Sequence, residues 1–253
     1  MTRKSSSSST RKNNGKPATS ASLLKMSPDG MILRENFTPE RMETLRRELA
    51  ERGDKSLLTE EQREDNRRQF LRRWDGKSDI WVFGYGSLMW NPAIHVADTK
   101  PAKVFGLHRS FCLKLPLGRG TPERPGLMLA LDHGGSCQGM AHRISAHQVE
   151  SETEILWMRE MIGGSYRPTW INLQMNGRTI KQPAFTYVIN RQHKRYAGKV
   201  KEDTIVRRIA RAEGQLGTNR EYLYRTVERL DALGISAGPM HKLCDRVRDV
   251  AGD

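Results

Sequence analysis

The stretch from Asp79 to Pro92, DIWVFGYGSLMWNP, constrains this chain more than any other. Ile80, Trp81, Val82 and Phe83 form an unbroken apolar run that reads as a buried strand. The strand then breaks into Gly84, Tyr85, Gly86 and Ser87. Glycine inside an element costs stability unless the backbone must adopt a geometry that other residues resist, or must let something approach closely. Two readings follow: an ordinary turn, or a loop whose backbone meets a ligand.

The rest of the chain tells what kind of body holds this strand. Thr38 and Pro39 open a helix over PERMETLRRELAER, and Thr59 with Gln62 forms a capping box for EEQREDNRRQFLRRW. Both helices are highly charged and are expected on the surface of the body. Further strands are expected over 102–107, 109–115, 127–132, 136–144, 169–175 and 183–190. Ser145 and Gln148 read as the capped start of a helix through Ile162. Three more helices fit 202–213, 218–233 and 240–250, with a second capping box at Thr218 and Glu221 and a stop at Gly234. A strand-rich middle with one inserted helix and helices at both ends predicts an α+β fold around a small curved sheet or barrel. The organisation expected is a basic, Ser-rich, disordered tail over 1–34, a helical extension over 35–78 and one catalytic or binding domain over 79–253.

Charge bears on function next. The formal net charge is +14. Residues 1–25 hold six basic and no acidic residues, while the remainder holds 37 basic and 29 acidic ones. This distribution allows a nucleic-acid or anion-binding module, and equally a solvated basic surface that attracts anionic substrates. Steep loss of affinity with added salt would mark the former. The three cysteines, Cys112, Cys137 and Cys244, are odd in number and widely spaced, which argues against a disulfide framework and for a reduced, cytoplasmic setting. No H-E-x-x-H occurs among the seven histidines, and no metal or other cofactor is expected. No apolar run approaches the roughly 20 residues that span a bilayer, so no membrane partner is expected either.

Two motifs carry chemistry. G-Y-G-S-L-M has the first two glycines of a dinucleotide fingerprint but lacks the third, and Trp90, Asn91 and Pro92 stand where its helix should run. A strand-end loop with converging backbone N–H groups is the alternative, with Ser87 adding a hydroxyl. In ILWMREMIGGSYRPTW, helical geometry puts Glu160 within about 80° of Val149, Thr153, Leu156 and Trp157. Desolvation there would raise its pKa and make it a proton shuttle; an ion pair with Arg159 or Arg167 is the simpler alternative. Tyr166 and Tyr222 are candidates for phenols in a pocket, and no G-x-S-x-G nucleophile signature occurs.

VFGYGSLMWNP, REMIGGSYRPTW and GQLGTNREYL, taken in this order and spacing, resemble the ChaC-type γ-glutamylcyclotransferases that act on glutathione. FCLKLPLGRGTPERPGLMLAL fits the segment between the first two, and the resemblance spans roughly residues 79–250. It implies a cyclotransferase fold and a γ-glutamyl-binding loop of Val82, Phe83, Gly84, Tyr85, Gly86 and Ser87. It also implies Glu160 as the catalytic carboxylate and Tyr222 as a residue lining the site. The implied reaction is a carbon–nitrogen lyase step giving 5-oxoproline and cysteinylglycine, without cofactor. The implied partner is the small-molecule substrate, glutathione or another γ-glutamyl amine; no specific nucleic acid is expected, and a monomer is compatible with the sequence, which does not itself fix the oligomeric state.

Overall fold

The computed structural model describes residues 27, 31–51, 56–116, 118–214 and 217–253. Most of the tail therefore lies outside the described residues. Its last part does not behave as expected from composition: Arg34–Asn36 form a 3-10 turn, and the Arg34 guanidinium grips Glu152 through both carboxylate oxygens. Those partners are far apart in sequence, and no local pattern signals them.

Helices α1 (Pro39–Glu51) and α2 (Glu60–Leu71) follow. The Thr59–Gln62 capping box is complete, with each side chain satisfying the other's backbone N–H. Despite its charge, α2 is more than a surface helix. Its Phe70 stacks on Trp170 at 4.5 Å and touches Trp157 and Phe185, and Arg67 is buried against Glu64, Glu150 and Thr153. The few apolar residues on a charged helix were enough to dock it.

Strand β1 (Ile80–Gly84) is buried along its whole length. It pairs antiparallel with β3 (Gly126–Ile144) and parallel with β7 (Ala184–Ile189). Strand β2 (Asp98–Leu115) completes a long hairpin with β3. The two segments expected on each side of that hairpin are single strands. β2 runs on through a register shift at Gly106, which has φ +78°, and β3 through Gly134 and Gly135, also at positive φ. The stretch 169–175 splits into β4 (Tyr166–Trp170) and β5 (Leu173–Met175) at opposite sides of the sheet. With β6 (Arg178–Thr179) the order is β4-β7-β1-β3-β2-β5-β6, a mixed, curled sheet in an α+β fold.

Because β1 is central, its alternating side chains feed two different cores. Ile80 and Val82 join Leu156, Trp157 and Phe185 beneath α3 (Val149–Glu160), whereas Trp81 and Phe83 join Val104, Leu131 and Leu173. A 3-10 turn, Ala146–Gln148, precedes α3, and Ser145 receives the Gln148 N–H on its carbonyl rather than its hydroxyl. On the other side α4 (Glu202–Arg211), α5 (Asn219–Ala232) and α6 (Gly238–Ala251) bury Val206, Ile209, Leu223, Leu230 and Val247 with Leu127 and Leu129 of β3. At the start of α5 only half of the expected capping box forms. Thr218 accepts the Glu221 N–H, but the Glu221 carboxylate turns to Arg119 and Arg225. Between α4 and α5, β8 (Glu213–Gly214) pairs antiparallel with β9 (Gly217–Thr218).

Among the described residues no helix is long and apolar enough to cross a membrane. None of their His, Cys, Asp and Glu side chains group to hold a metal ion.

Candidate active site

The Gly84–Ser87 loop sits where β1 leaves the sheet, and its shape depends on two close approaches. A Cβ on Gly84 would stand 2.9 Å from the Met89 backbone nitrogen, and a Cβ on Gly139 of β3 would overlap the Gly84 carbonyl oxygen. The chain can therefore fold back into the 3-10 turn Ser87–Met89 directly over β3.

The loop's carbonyl oxygens are tied inward. Phe83 O accepts from Thr186 Oγ1 at 2.8 Å, Tyr85 O from Arg109 Nε at 2.6 Å, and Gly86 O from the Met89 N–H at 2.9 Å. Leu88 O accepts from His142 Nε2 at 2.8 Å, which fixes the tautomer, so His142 Nδ1 receives the Thr99 hydroxyl. Burial pushes the His142 pKa down and keeps the ring neutral. Among the described residues the Tyr85 and Gly86 N–H groups donate to no protein acceptor. Carbonyls held inside and amides left open make a cradle of positive potential. Arg109 strengthens it. Its guanidinium also holds Gln138 O and has no carboxylate partner among the described residues.

Glu160 ends α3 with its side chain 15% exposed. Burial pushes its carboxyl above the ordinary glutamate value of 4.5, against the charge and hydrogen bond of Arg159, whose Nε lies 3.0 Å from Glu160 Oε1. Both sequence readings of Glu160 are thus present in one group: a desolvated carboxylate and an ion pair. Arg159 does more than neutralise. Its Nη2 donates to Ser87 Oγ at 3.1 Å and its Nη1 to Asn91 O at 2.5 Å, so one guanidinium ties the loop to the carboxylate. Arg167, the other partner considered, bonds Gln192 instead.

Four phenols lie within electrostatic reach of this carboxylate. Tyr85, Tyr166, Tyr187 and Tyr222 all interact electrostatically with Glu160, and burial raises the pKa of each, that of Tyr222 to about 12. All four are neutral O–H donors at physiological pH. Tyr166 donates to Leu129 O at 3.2 Å, whereas the buried Tyr187 hydroxyl has no hydrogen-bond partner among the described residues. Tyr222 reaches the loop's mouth because Asn219, at the first position of α5, is locked to β3. Its side chain accepts from Leu127 N and donates to Leu127 O like a strand neighbour. A Cβ on Gly86 would stand 3.8 Å from the Tyr222 hydroxyl.

Comparison with known proteins is decisive at this point. The family model described as ChaC-like protein matches residues 80–250, which includes the loop, Glu160 and all four tyrosines. The chain belongs to the ChaC-like family. It is 40% identical over 175 residues to the glutathione-specific gamma-glutamylcyclotransferase of Escherichia coli (strain K12), covering 69% of this chain and 75% of that one. It is 31% identical over 177 residues to glutathione-specific gamma-glutamylcyclotransferase 1 of Homo sapiens, covering 68% of this chain and 79% of the human protein. The fold is that of the solved glutathione-specific γ-glutamyl cyclotransferase from yeast. The TM-score is 0.61 at 21% identity, over 68% of this chain and 97% of the yeast one.

Within this ChaC-like site the expected residues take unequal places. Tyr85, Gly86, Ser87, Glu160 and Tyr222 come together in one cluster, with Gly84 pressed against Leu88 and Met89 beside it. Val82 and Phe83 do not reach it: their side chains are fully buried in β1, where they anchor the loop. Arg109 and Tyr187 were not legible beforehand, since each sits in a strand amid ordinary β sequence and becomes part of the site only through pairing. The three thiols are buried, and burial raises Cys112 to about 12 and Cys137 to about 11, so neither is a nucleophile at neutral pH.

Proposed function

We propose that this chain is a glutathione-specific γ-glutamylcyclotransferase in which Glu160 moves the proton and the substrate supplies the nucleophile. The observation that carries this reading is one guanidinium, Arg159, joining a desolvated carboxylate to a loop with open backbone amides. Among the described residues no serine, threonine or cysteine hydroxyl or thiol is hydrogen-bonded to the carboxylate, so the site offers a proton carrier without a nucleophile of its own, which suits attack by the substrate's amine. The names of the relatives agree with this substrate.

The open N–H groups of Tyr85 and Gly86 receive the γ-carbonyl oxygen, and Glu160 takes a proton from the α-amine. The amine nitrogen bonds to the γ-carbon and closes a five-membered ring, with negative charge gathering on the oxygen held by the amides. The γ-carbon–nitrogen bond to cysteine then breaks, and Glu160 returns the proton to the departing nitrogen. The atoms balance without water: one glutathione gives one 5-oxoproline and one cysteinylglycine. Holding the flexible γ-glutamyl chain as a near-attack conformer supplies the proximity effect, which reaches about 7–11 kcal/mol for well-oriented intramolecular reactions. Each oxyanion donor is worth roughly 3–4 kcal/mol where measured in other enzymes.

The nucleophile provides the test. N-acetylglutathione keeps the γ-amide and the leaving group, but its acylated nitrogen cannot attack. Purified protein should convert glutathione to 5-oxoproline and give no ring product from the N-acetyl compound. Release of free glutamate from glutathione, without 5-oxoproline, would show hydrolysis instead and end the proposal.

A further inference from the structure

Arg159 could hold Glu160 and the loop together only if its own guanidinium were fixed, and α3 alone does not fix it. Part of its seat is built by residues that precede the family match, which begins at residue 80. The buried Phe37 ring lies beneath the guanidinium, 5.9 Å from its carbon to the ring centroid. Phe37 packs in a small core with Met42 and Met158, bordered by Ile32, Ala93, Ile155 and Ile162. Asn91, whose carbonyl receives Arg159, donates its own side-chain amide to Ile32 O at 3.0 Å. Arg34 donates to Ala93 O at 3.2 Å and is anchored by Glu152, whose carboxylate also accepts the His95 N–H. One short segment therefore supports the guanidinium from below and braces the Asn91–Ala93 backbone beside it.

We infer that residues 32–37 are a positioning strap for the active-site ion pair, with Phe37 acting on Glu160 through Arg159. The inference rests on the reading of Glu160 as the proton carrier and goes beyond it in placing part of the machinery outside the cyclotransferase domain.

The sign of the effect follows from the charges. The groups facing Glu160 are Arg159 on its own helix, Tyr85 from the loop, Tyr166 and Tyr187 from β4 and β7, and Tyr222 from α5. The four phenols are neutral, so Arg159 is the charge that favours the ionised carboxylate. A loosened Arg159 leaves burial less opposed. Glu160 then holds its proton to higher pH, and less of it is ready to act as a base.

The experiment is a titration of the Glu160 carboxyl carbon by NMR in glutamate-labelled full-length protein, the signal assigned by its loss in Glu160→Gln. Phe37→Leu keeps an apolar side chain against Met42 and Met158 and removes the ring face. It should move the Glu160 midpoint upward by about half a pH unit or more, a threefold or greater change in ionised fraction below the midpoint. Its melting temperature should remain close to that of the parent. In an Arg159→Met background the same substitution should produce no further shift, because the path through the guanidinium is already cut. A Phe37→Leu midpoint that superimposes on the parent's would overturn the strap, as would a shift that persists in full with Arg159→Met. The titration needs no turnover, so the strap can fail while glutathione is still converted, and the substrate assignment can fail while the strap stands.

Discussion

Glu160→Gln should remove nearly all 5-oxoproline formation while leaving the melting temperature equal to or slightly above that of the parent. Glutamine matches the carboxylate in shape, and its side-chain oxygen can still accept from Arg159 Nε, so the link to Ser87 survives. What disappears is the ability to take a proton from the amine and return it to the leaving nitrogen. Positioned proton transfer is worth about 10²- to 10⁴-fold, and here one group serves both halves of the reaction. The stability argument runs the other way. The folded pKa of Glu160 lies above its ordinary value. The folding stability associated with this group is therefore fullest at low pH and falls as pH rises through the folded pKa. At neutral pH the protein carries a desolvated charge that the amide does not, so the variant gives up no stability there. Initial rates on glutathione together with thermal melting check both halves. A kcat near that of the parent would remove Glu160 from the mechanism.

Gly139→Ala should give the largest loss of stability among single-methyl changes in the sheet. The new Cβ would overlap the Gly84 carbonyl oxygen and stand 2.8 Å from the Phe83 ring. Relief is difficult, because Phe83 and Gly84 pair with Ala141 and Met140 on β3 while Trp81 and Val82 pair with Ala184 and Phe185 on β7. β1 is held from both sides and cannot retreat. Overpacking a fixed site of this kind costs about 1–3 kcal/mol and sometimes more. The denaturant midpoint should fall accordingly, and activity should fall in the remaining folded protein because the loop starts at Gly84. Gly86→Ala is the internal control. Its Cβ has 3.8 Å to the nearest heavy atom, the Tyr222 hydroxyl, so it should cost far less stability. An unchanged midpoint in Gly139→Ala would mean that β1 and β3 are not packed this closely.

What could be read from the sequence was local. β1 is legible because an apolar run between turn residues leaves few alternatives, and α2 because a capping box and its helix lie within a few residues of each other. Glu160 is legible as a carboxylate on an apolar helix face beside a double-glycine break. Gly164 does adopt φ +64° there, a conformation suited to glycine. The features missed all depend on partners distant in the chain. Composition marked residues 31–34 as tail, yet Arg34 finds Glu152 across 118 positions. The 169–175 stretch has uniform β character, and only pairing partners decide that its two halves join opposite sides of the sheet. Arg109 looks like any strand arginine until Tyr85 O lies 2.6 Å from it.

Isotope tracing tests the central claim most directly. Glutathione turned over in water enriched in oxygen-18 should yield 5-oxoproline and cysteinylglycine in equal amounts, with no label in the 5-oxoproline, because the amine and not water breaks the amide bond. Glutamate carrying one oxygen-18 atom as the first product would contradict the account.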